Sequence, residues 1–488
     1  MKGKELEGCR VKELAEAISG RIIQGSPDTV INGISIDSRT LVPGDLFFAL
    51  KGCKVDGHSF AMEALNKGAV GIVVSKRRKN LLPLEEIAKD KIILVTEDTL
   101  TALQDWSKYY KSKLKTFNIG VTGSNGKSTT KEMIAHLLSP KFSLLKSSGN
   151  YNTEIGIPLT LLQLKPDHKI LVVEMGMRGL GEIKTLTELV PPDLAVITNI
   201  GESHLGLLGS RDNIFRAKSE LLQSLGSKGI AILNRDDPYF SRMAEIVKDK
   251  KIITFGLENR SDIMADNITS MGERGIRFTL KIKDRITEEI FLPLLGRHNI
   301  YNALAATAVA FALQVDLELV KKGLANFETL DKRIQVIKLY DDIKVLDDSY
   351  NASPQSVRKA LETLVEVAKD RRKIAILGDM LELGKKANFY HQQIGQEIAQ
   401  LAIDLLITVG KGGEIIAQAA EKEGMAQEQI FSFEKDGKKL LVQKLINLVK
   451  PGDFVLLKGS REMQMEDILQ FWQEEHSASV LTQGGQND

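Results

Sequence analysis

The chain reads as an α/β protein of three domains: a small N-terminal α/β unit, a central phosphate-loop unit on a parallel sheet, and a C-terminal Rossmann-like α/β unit. Three observations predict this. The 488 residues exceed what one core usually holds and suggest about three domains. Strand-length apolar runs alternate with helical segments from Phe117 onward, as in parallel sheets buried on both faces. Between the first of these runs and its helix lies a glycine-rich loop, Gly120 to Thr129.

Taken in order, the first ~110 residues mix short strands and helices. Val30 to Ile36, Asp45 to Leu50, Ala69 to Val74 and Lys91 to Val95 read as strands, and Leu100 to Leu114 as a helix leading onward. The central unit starts with the strand at Phe117. Further runs recur at His168 to Met175, Asp193 to Ile200, Gly229 to Leu233 and Lys251 to Phe255. Ile263 to Leu292 reads as hairpin strands, and Asn299 to Leu313 as an alanine-rich helix. In the third unit, Ile343 to Leu346, Lys373 to Leu377, Asp404 to Val409 and Asp453 to Leu457 read as strands. Ser353 as N-cap and Pro354 at the first helical position mark one helix start. No G-x-G-x-x-G fingerprint accompanies this unit, so NAD binding is not expected. The expected units are 1–112, 113–329 and 330–488, with the tail from Ser477 disordered.

Composition narrows the class. Lys and Arg number 66 against 64 Asp and Glu, so nothing argues for a nucleic-acid surface. Cys9 and Cys53, the two cysteines, suggest neither a disulfide framework nor a zinc site. No apolar stretch is long enough to span a bilayer, and the N-terminus lacks a signal-peptide core. A soluble, cytoplasmic, monomeric protein is expected.

The loop carries the first chemistry. Gly120, Gly123 and Gly126 let the backbone turn tightly and aim N–H groups inward, with a helix N-terminus behind them. Lys127 adds a mobile cation, and Ser128 a hydroxyl suited to Mg²⁺. The spacing is G-x-x-G-x-x-G-K-S-T, with Val121 where the first glycine of the common phosphate-loop pattern belongs. Glu174 ends the strand Lys169 to Val173, and a carboxylate there is well placed to hold Mg²⁺. A strand-end acid facing water is the plain alternative, disfavoured by the neighbouring loop. His204 follows another strand, and Lys218 sits in Arg216-Ala217-Lys218-Ser219-Glu220. On residue chemistry alone these two read as a surface or hydrogen-bonding histidine and a solvated helix lysine.

Order along the chain supplies more. The T-G-S-N-G-K-S-T loop, Glu174, His204, the A-K-S-E around Lys218, Gly296 to Asn302, Arg333 and Asp347 to Asn351 together resemble the Mur ligase family over essentially the whole length. That resemblance implies an ATP-dependent amide ligase working through an acyl phosphate. It implies that Gly123, Ser124, Asn125, Gly126, Lys127, Ser128 and Thr129 bind ATP, with His298, Asn299 and Asn302 also contacting the nucleotide. Arg333 would reach ATP phosphate and Asp348 the ribose, although Asp348 could equally be a turn former. Ser128 and Glu174 would hold one Mg²⁺, and His204 with a carbamylated Lys218 a second. Lys127, Lys218, His204 and Arg333 are the expected catalytic set.

Within the family, Leu377 to Gly384 followed by His391, and Lys458-Gly459-Ser460-Arg461 followed by Met465-Glu466, resemble the D-alanyl-D-alanine-adding member. The D-N-P-R motif of the diamino-acid-adding member does not occur. The implied partners are UDP-N-acetylmuramoyl-tripeptide and D-alanyl-D-alanine. By the same resemblance the first unit would bind the UDP-sugar through Ser38, Arg39, Asp56 and His58, with Asn152 also on the substrate. The D-S-R and D-G-H runs read equally well as loop and cap residues. Open alternatives are another Mur-type or folylpolyglutamate-type ligase, a phosphate-loop ATPase without ligase activity, and a silent UDP-sugar sensor.

Overall fold

The structure is a computed structural model that describes residues 9–52, 55–283, 286–328 and 330–484. Cys53 lies outside the described residues. Three sheets follow one another along the chain.

The first has five strands, ordered Arg21–Gln24, Ile92–Thr96, Gly71–Ser75, Asp45–Phe48 and Gly33–Ser35. Only the Arg21–Gln24 edge is antiparallel. That strand has no clean alternation of buried and exposed residues, which explains why periodicity did not predict it. Val30 makes an isolated bridge to Arg10, so the strand expected from Val30 shortens to Gly33–Ser35. The helix Thr99–Ser112, capped by Asp98, buries Trp106 in the core of this unit, where Leu162 of the next unit joins it.

The second sheet has nine strands. Phe117–Thr122 lies between Ile170–Glu174 and Leu194–Ile197, all parallel. Val121 stands directly opposite Glu174, so register alone sets that carboxylate beside the loop. Leu144–Lys146 forms an edge that its three residues did not announce. At the other edge, Ile263–Ser270, Ile276–Ile282 and Ile286–Leu292 form an antiparallel meander. The helix His298–Ala312 is nearly all buried and packs on the helix after the loop.

The third sheet has six strands, parallel except for Gln335–Lys338. Gln335–Lys338 and Ile430–Phe433 are its edges; both are half-exposed and escaped the apolar pattern. Ser353 caps Pro354–Ala368 in a reciprocal capping box with Ser356. The tail departs from expectation, since the helix begun at Glu466 continues through Gly484. Its small and polar residues signalled disorder but are compatible with extending an established helix.

The second and third units share one core, in which Leu205 and Leu208 join Met380 and Leu383. Among the described residues, no helix is long and apolar enough to cross a membrane.

Candidate active site

A cavity of about 1570 Å³ opens where the three units meet. Its walls include Gln104 from the first, the 124–129 loop and Glu174 from the second, and Arg333, Ser353 and Lys458 from the third.

The loop is built by close approach. A Cβ on Gly123 (φ +151°) would stand 1.9 Å from Thr198 Oγ1, and one on Gly126 (φ +80°) 2.3 Å from Asn302 Oδ1. Thr198 Oγ1 donates to the Asn125 carbonyl at 2.6 Å, and Asn125 N–H donates to Asn199 Oδ1 at 3.0 Å. Ser124 Oγ accepts the Gly201 N–H at 2.8 Å. Thr129 is buried in the first turn of the helix Lys127–Leu138.

Two lysines converge here. Lys127 Nζ donates to the Gly123 and Ser124 carbonyls at 2.9 and 3.2 Å. Lys218 Nζ donates to the same Gly123 carbonyl at 2.7 Å. Burial holds Lys218 well below the usual lysine pKa, the Lys127 cation adds repulsion, and Glu174 opposes both. Burial also lowers Lys127, against the pull of Glu174 and with a smaller push from Arg333. Arg333 Nη2 donates to Ser128 Oγ at 3.1 Å, and its guanidinium stacks over Tyr350, 4.1 Å from the ring centre.

Glu174 is 2% exposed. Its Oε1 accepts from Asn152 Nδ2 at 2.7 Å, while the buried Oε2 has no hydrogen-bond partner among the described residues. Leaving a carboxylate oxygen dry and unpaired is costly. A hard cation relieves that cost, and Glu174 with the Ser128 hydroxyl offers the oxygen donors Mg²⁺ prefers. The residues therefore fit Mg²⁺. Asn152, expected on the substrate, here orients this carboxylate. Among the described residues, no three His, Cys, Asp or Glu side chains converge as a ready metal cluster.

His204 sits with φ +63° and its Nδ1 lies 2.5 Å from Glu382 Oε2 of the third unit. That hydrogen bond draws the Glu382 pKa down against burial. His204 is thus engaged by Glu382, and Lys218 by Gly123, so the two expected ligands of a second ion are held by separate partners.

The remaining nucleotide residues fall into two groups. Asn302 Nδ2 donates to Asn299 Oδ1 at 2.9 Å, Asn302 Oδ1 accepts from Thr130 Oγ1 at 3.2 Å, and Asn299 Nδ2 donates to the Leu295 carbonyl at 2.8 Å. These amides tie the helix His298–Ala312 to the phosphate-loop helix. His298 keeps a buried Nδ1 with no hydrogen-bond partner among the described residues, and burial beside the Lys458 and Lys359 cations pushes its pKa down to about 4. Asp348 is paired with the buried Lys458, which also donates to the Asn351 carbonyl at 2.9 Å; burial raises the Asp348 pKa against the pull of that cation.

The four N-terminal candidates stand apart from the cavity walls. His58 uses both ring nitrogens: Nδ1 lies 2.7 Å from Asp56 Oδ1, and Nε2 accepts the Ser75 N–H at 3.0 Å. Arg39 is exposed and paired with Asp37 at 2.7 Å. Ser38 is buried, and its carbonyl accepts from Lys67 Nζ at 3.1 Å.

Residue types alone did not single out several neighbours. Asn125 Nδ2 donates to Gln355 Oε1 at 2.9 Å, and Ser353 Oγ donates to Asn125 Oδ1 at 3.2 Å, so the third unit touches the phosphate loop. Glu382 and Lys458 lie within motifs conspicuous in the sequence, but their partners are 178 and 110 residues away. At the start of the helix Lys411–Lys422, Asp379 Oδ1 accepts the Gly413 N–H at 2.9 Å.

Comparison with known proteins agrees with this architecture. Residues 30–111 match the model of the Mur ligase family, catalytic domain, residues 121–310 the Mur ligase middle domain, and residues 332–461 the Mur ligase, glutamate ligase domain. The chain is 38% identical over 466 residues to the UDP-N-acetylmuramoyl-tripeptide--D-alanyl-D-alanine ligase of Bacillus subtilis (strain 168), covering 94% of this chain and 97% of that one. It is 33% identical over 467 residues to the Escherichia coli (strain K12) protein of the same name, covering 95% and 98%. Among solved structures it is similar to MurF from Acinetobacter baumannii, with a TM-score of 0.84, 33% identity and coverage of 96% and 99%. A MurF ligase from Thermotoga maritima in complex with ADP gives a TM-score of 0.78 at 28% identity, covering 91% and 98%. With relatives of this identity matched along nearly their whole lengths, the chain belongs to the Mur ligase family.

Proposed function

We propose that the protein uses ATP to join D-alanyl-D-alanine to UDP-N-acetylmuramoyl-tripeptide, making a precursor of peptidoglycan in the cytoplasm. The observation that carries this reading is the cavity itself: one chain surrounds a phosphate loop with walls from three units, enough to receive three substrates as a monomer. The units are taken as 1–112, 113–329 and 330–488, holding nucleotide sugar, ATP and dipeptide in that order.

A carboxylate does not react with an amine at neutral pH, because oxide is a poor leaving group. Transfer of the ATP γ-phosphoryl to the tripeptide carboxylate gives an acyl phosphate. The dipeptide amine then attacks the acyl carbon, loses a proton, and expels phosphate. Lys127 and the loop N–H groups hold the phosphoryl oxygens as charge shifts between them. Arg333, reaching Ser128 from the third unit, brings a second cation to the same place. Seating of the third unit also excludes water, which otherwise hydrolyses the acyl phosphate.

Ser128 and Glu174 would hold Mg²⁺, which supplies charge neutralisation at the phosphates when bound. Lys218 suits carbamylation because burial and Lys127 favour its neutral amine, the form that adds to carbon dioxide with loss of one proton. The resulting carbamate would give a metal-binding oxygen where an amine now stands, with His204 as its companion.

Mass spectrometry of products tests the reading. With ATP and the tripeptide precursor, D-alanyl-D-alanine should be incorporated in preference to a diamino acid or glutamate. Preferred incorporation of either competitor would assign a different Mur-type or folylpolyglutamate-type activity, and ATP turnover without any peptide substrate would favour a plain ATPase.

A further inference from the structure

Among the described residues, the third unit's share of the cavity wall carries four Lys and Arg side chains, Arg333, Lys359, Lys458 and Arg461. Three are committed. Arg333 reaches Ser128. Lys458 is buried and pairs with Asp348. Lys359 donates to both Glu362 oxygens, at 3.1 and 2.8 Å. Arg461 differs. Its side chain is 57% exposed, and its Nη1 donates to Glu466 Oε1 at 2.5 Å. The same oxygen accepts from Lys332 Nζ at 2.8 Å, so one carboxylate is shared by two cations. The Nε and Nη2 edge of Arg461 makes no hydrogen bond among the described residues.

The backbone holds this side chain in place. Arg461 follows the strand Phe454–Lys458, beyond the carboxyl end of a strand inside the sheet, where open parallel sheets receive ligands. Ser460 N–H donates to the Asp379 carbonyl at 3.0 Å, and Ser460 Oγ accepts the Leu381 N–H at 2.8 Å. Tyr350 carries the Arg333 guanidinium 4.1 Å from its ring centre and that of Arg461 at 6.0 Å, so one ring links the cation at the phosphate loop to the outer one. An extended dipeptide spans about 7 Å. Its amine must meet the acyl carbon beside the phosphate loop, and its carboxylate then needs a cation about that far away. The Nε and Nη2 edge of a guanidinium meets a carboxylate in a planar, bidentate pair. We infer that Arg461, steadied by Glu466, receives the carboxylate of the incoming dipeptide and so selects a dipeptide acid over its neutral forms. This inference deepens the proposed ligase function and rests on it.

The test crosses variant with substrate in the full-length protein. Wild type, Arg461→Gln and Arg461→Lys are each given ATP, the tripeptide precursor, and either D-alanyl-D-alanine or its C-terminal amide. Wild type should use the acid with a kcat/KM about 10- to 100-fold above that of the amide. Arg461→Gln should lose this preference, the acid falling to the level of the amide, with the KM values for ATP and precursor unchanged. Arg461→Lys keeps the charge but not the fork and should fall between the two. A preference for the acid that survives in Arg461→Gln, or a KM change confined to ATP or precursor, would overturn the inference. If Arg461→Gln does not fold, Arg461→Lys decides alone, by whether the preference narrows. Wild type that ligates acid and amide equally well sinks the inference and leaves the ligase reading standing; wild type that ligates neither sinks the reading itself and the inference with it.

Discussion

Lys218 and Lys127 place two amines on one carbonyl, an arrangement that favours discharge of one of them. Lys218→Ala should abolish ligation, and added short carboxylates should restore part of it; full activity without additives would mean Lys218 only packs. His298 has a second, thermodynamic consequence. Its folded pKa, about 4, lies below the ordinary 6.5, so the unfolded chain binds more protons between these values and stability falls as pH drops through that window. At pH 5 the cost is of order 2 kcal/mol. The drop in thermal midpoint from pH 7 to pH 5 should be smaller in His298→Gln, and an equal drop would place the effect elsewhere. At this scale the sequence was partly legible. The loop and Glu174 could be read from chain order, because each sits at the end of an apolar strand, and the two strands turn out to be neighbours in the sheet. The Glu382 contact could not, since it depends on how two units meet.

Among the elements, those buried on both faces were legible and several of the edges were not. Phe117–Thr122 and Phe454–Lys458 are almost wholly buried, whereas Arg21–Gln24 and Ile430–Phe433 are half-exposed and carry little period. Ser353 was legible as a cap because its chemistry is local. The structure adds that its Oγ also reaches Asn125, joining the start of this helix to the phosphate loop. Ser353→Ala should therefore lower stability by about 1 kcal/mol through the lost cap and also raise the KM for ATP. A stability loss with unchanged KM would confine Ser353 to its helix.

For the whole molecule, the seating of the third unit is the feature on which the chemistry turns. Arg333 to Ser128 and Gln355 to Asn125 are made on the cavity side. On another side, Lys344 Nζ contacts both Glu273 oxygens at 2.5 and 2.7 Å. Lys344→Glu places like charges together there and should loosen the seating, seen as a larger radius of gyration in small-angle scattering. An unchanged radius would show that this ion pair does not hold the units together. Length and periodicity were enough to count three units, but carried no information on these contacts, which are made by polar side chains 71 to 230 residues apart.

The central claim is that this cavity passes the terminal phosphoryl of ATP to an organic acid. Labelling the reacting tripeptide carboxylate with ¹⁸O tests it directly. Ligation through an acyl phosphate predicts one ¹⁸O in the released inorganic phosphate for each peptide bond made; label in AMP, or none in phosphate, would contradict it.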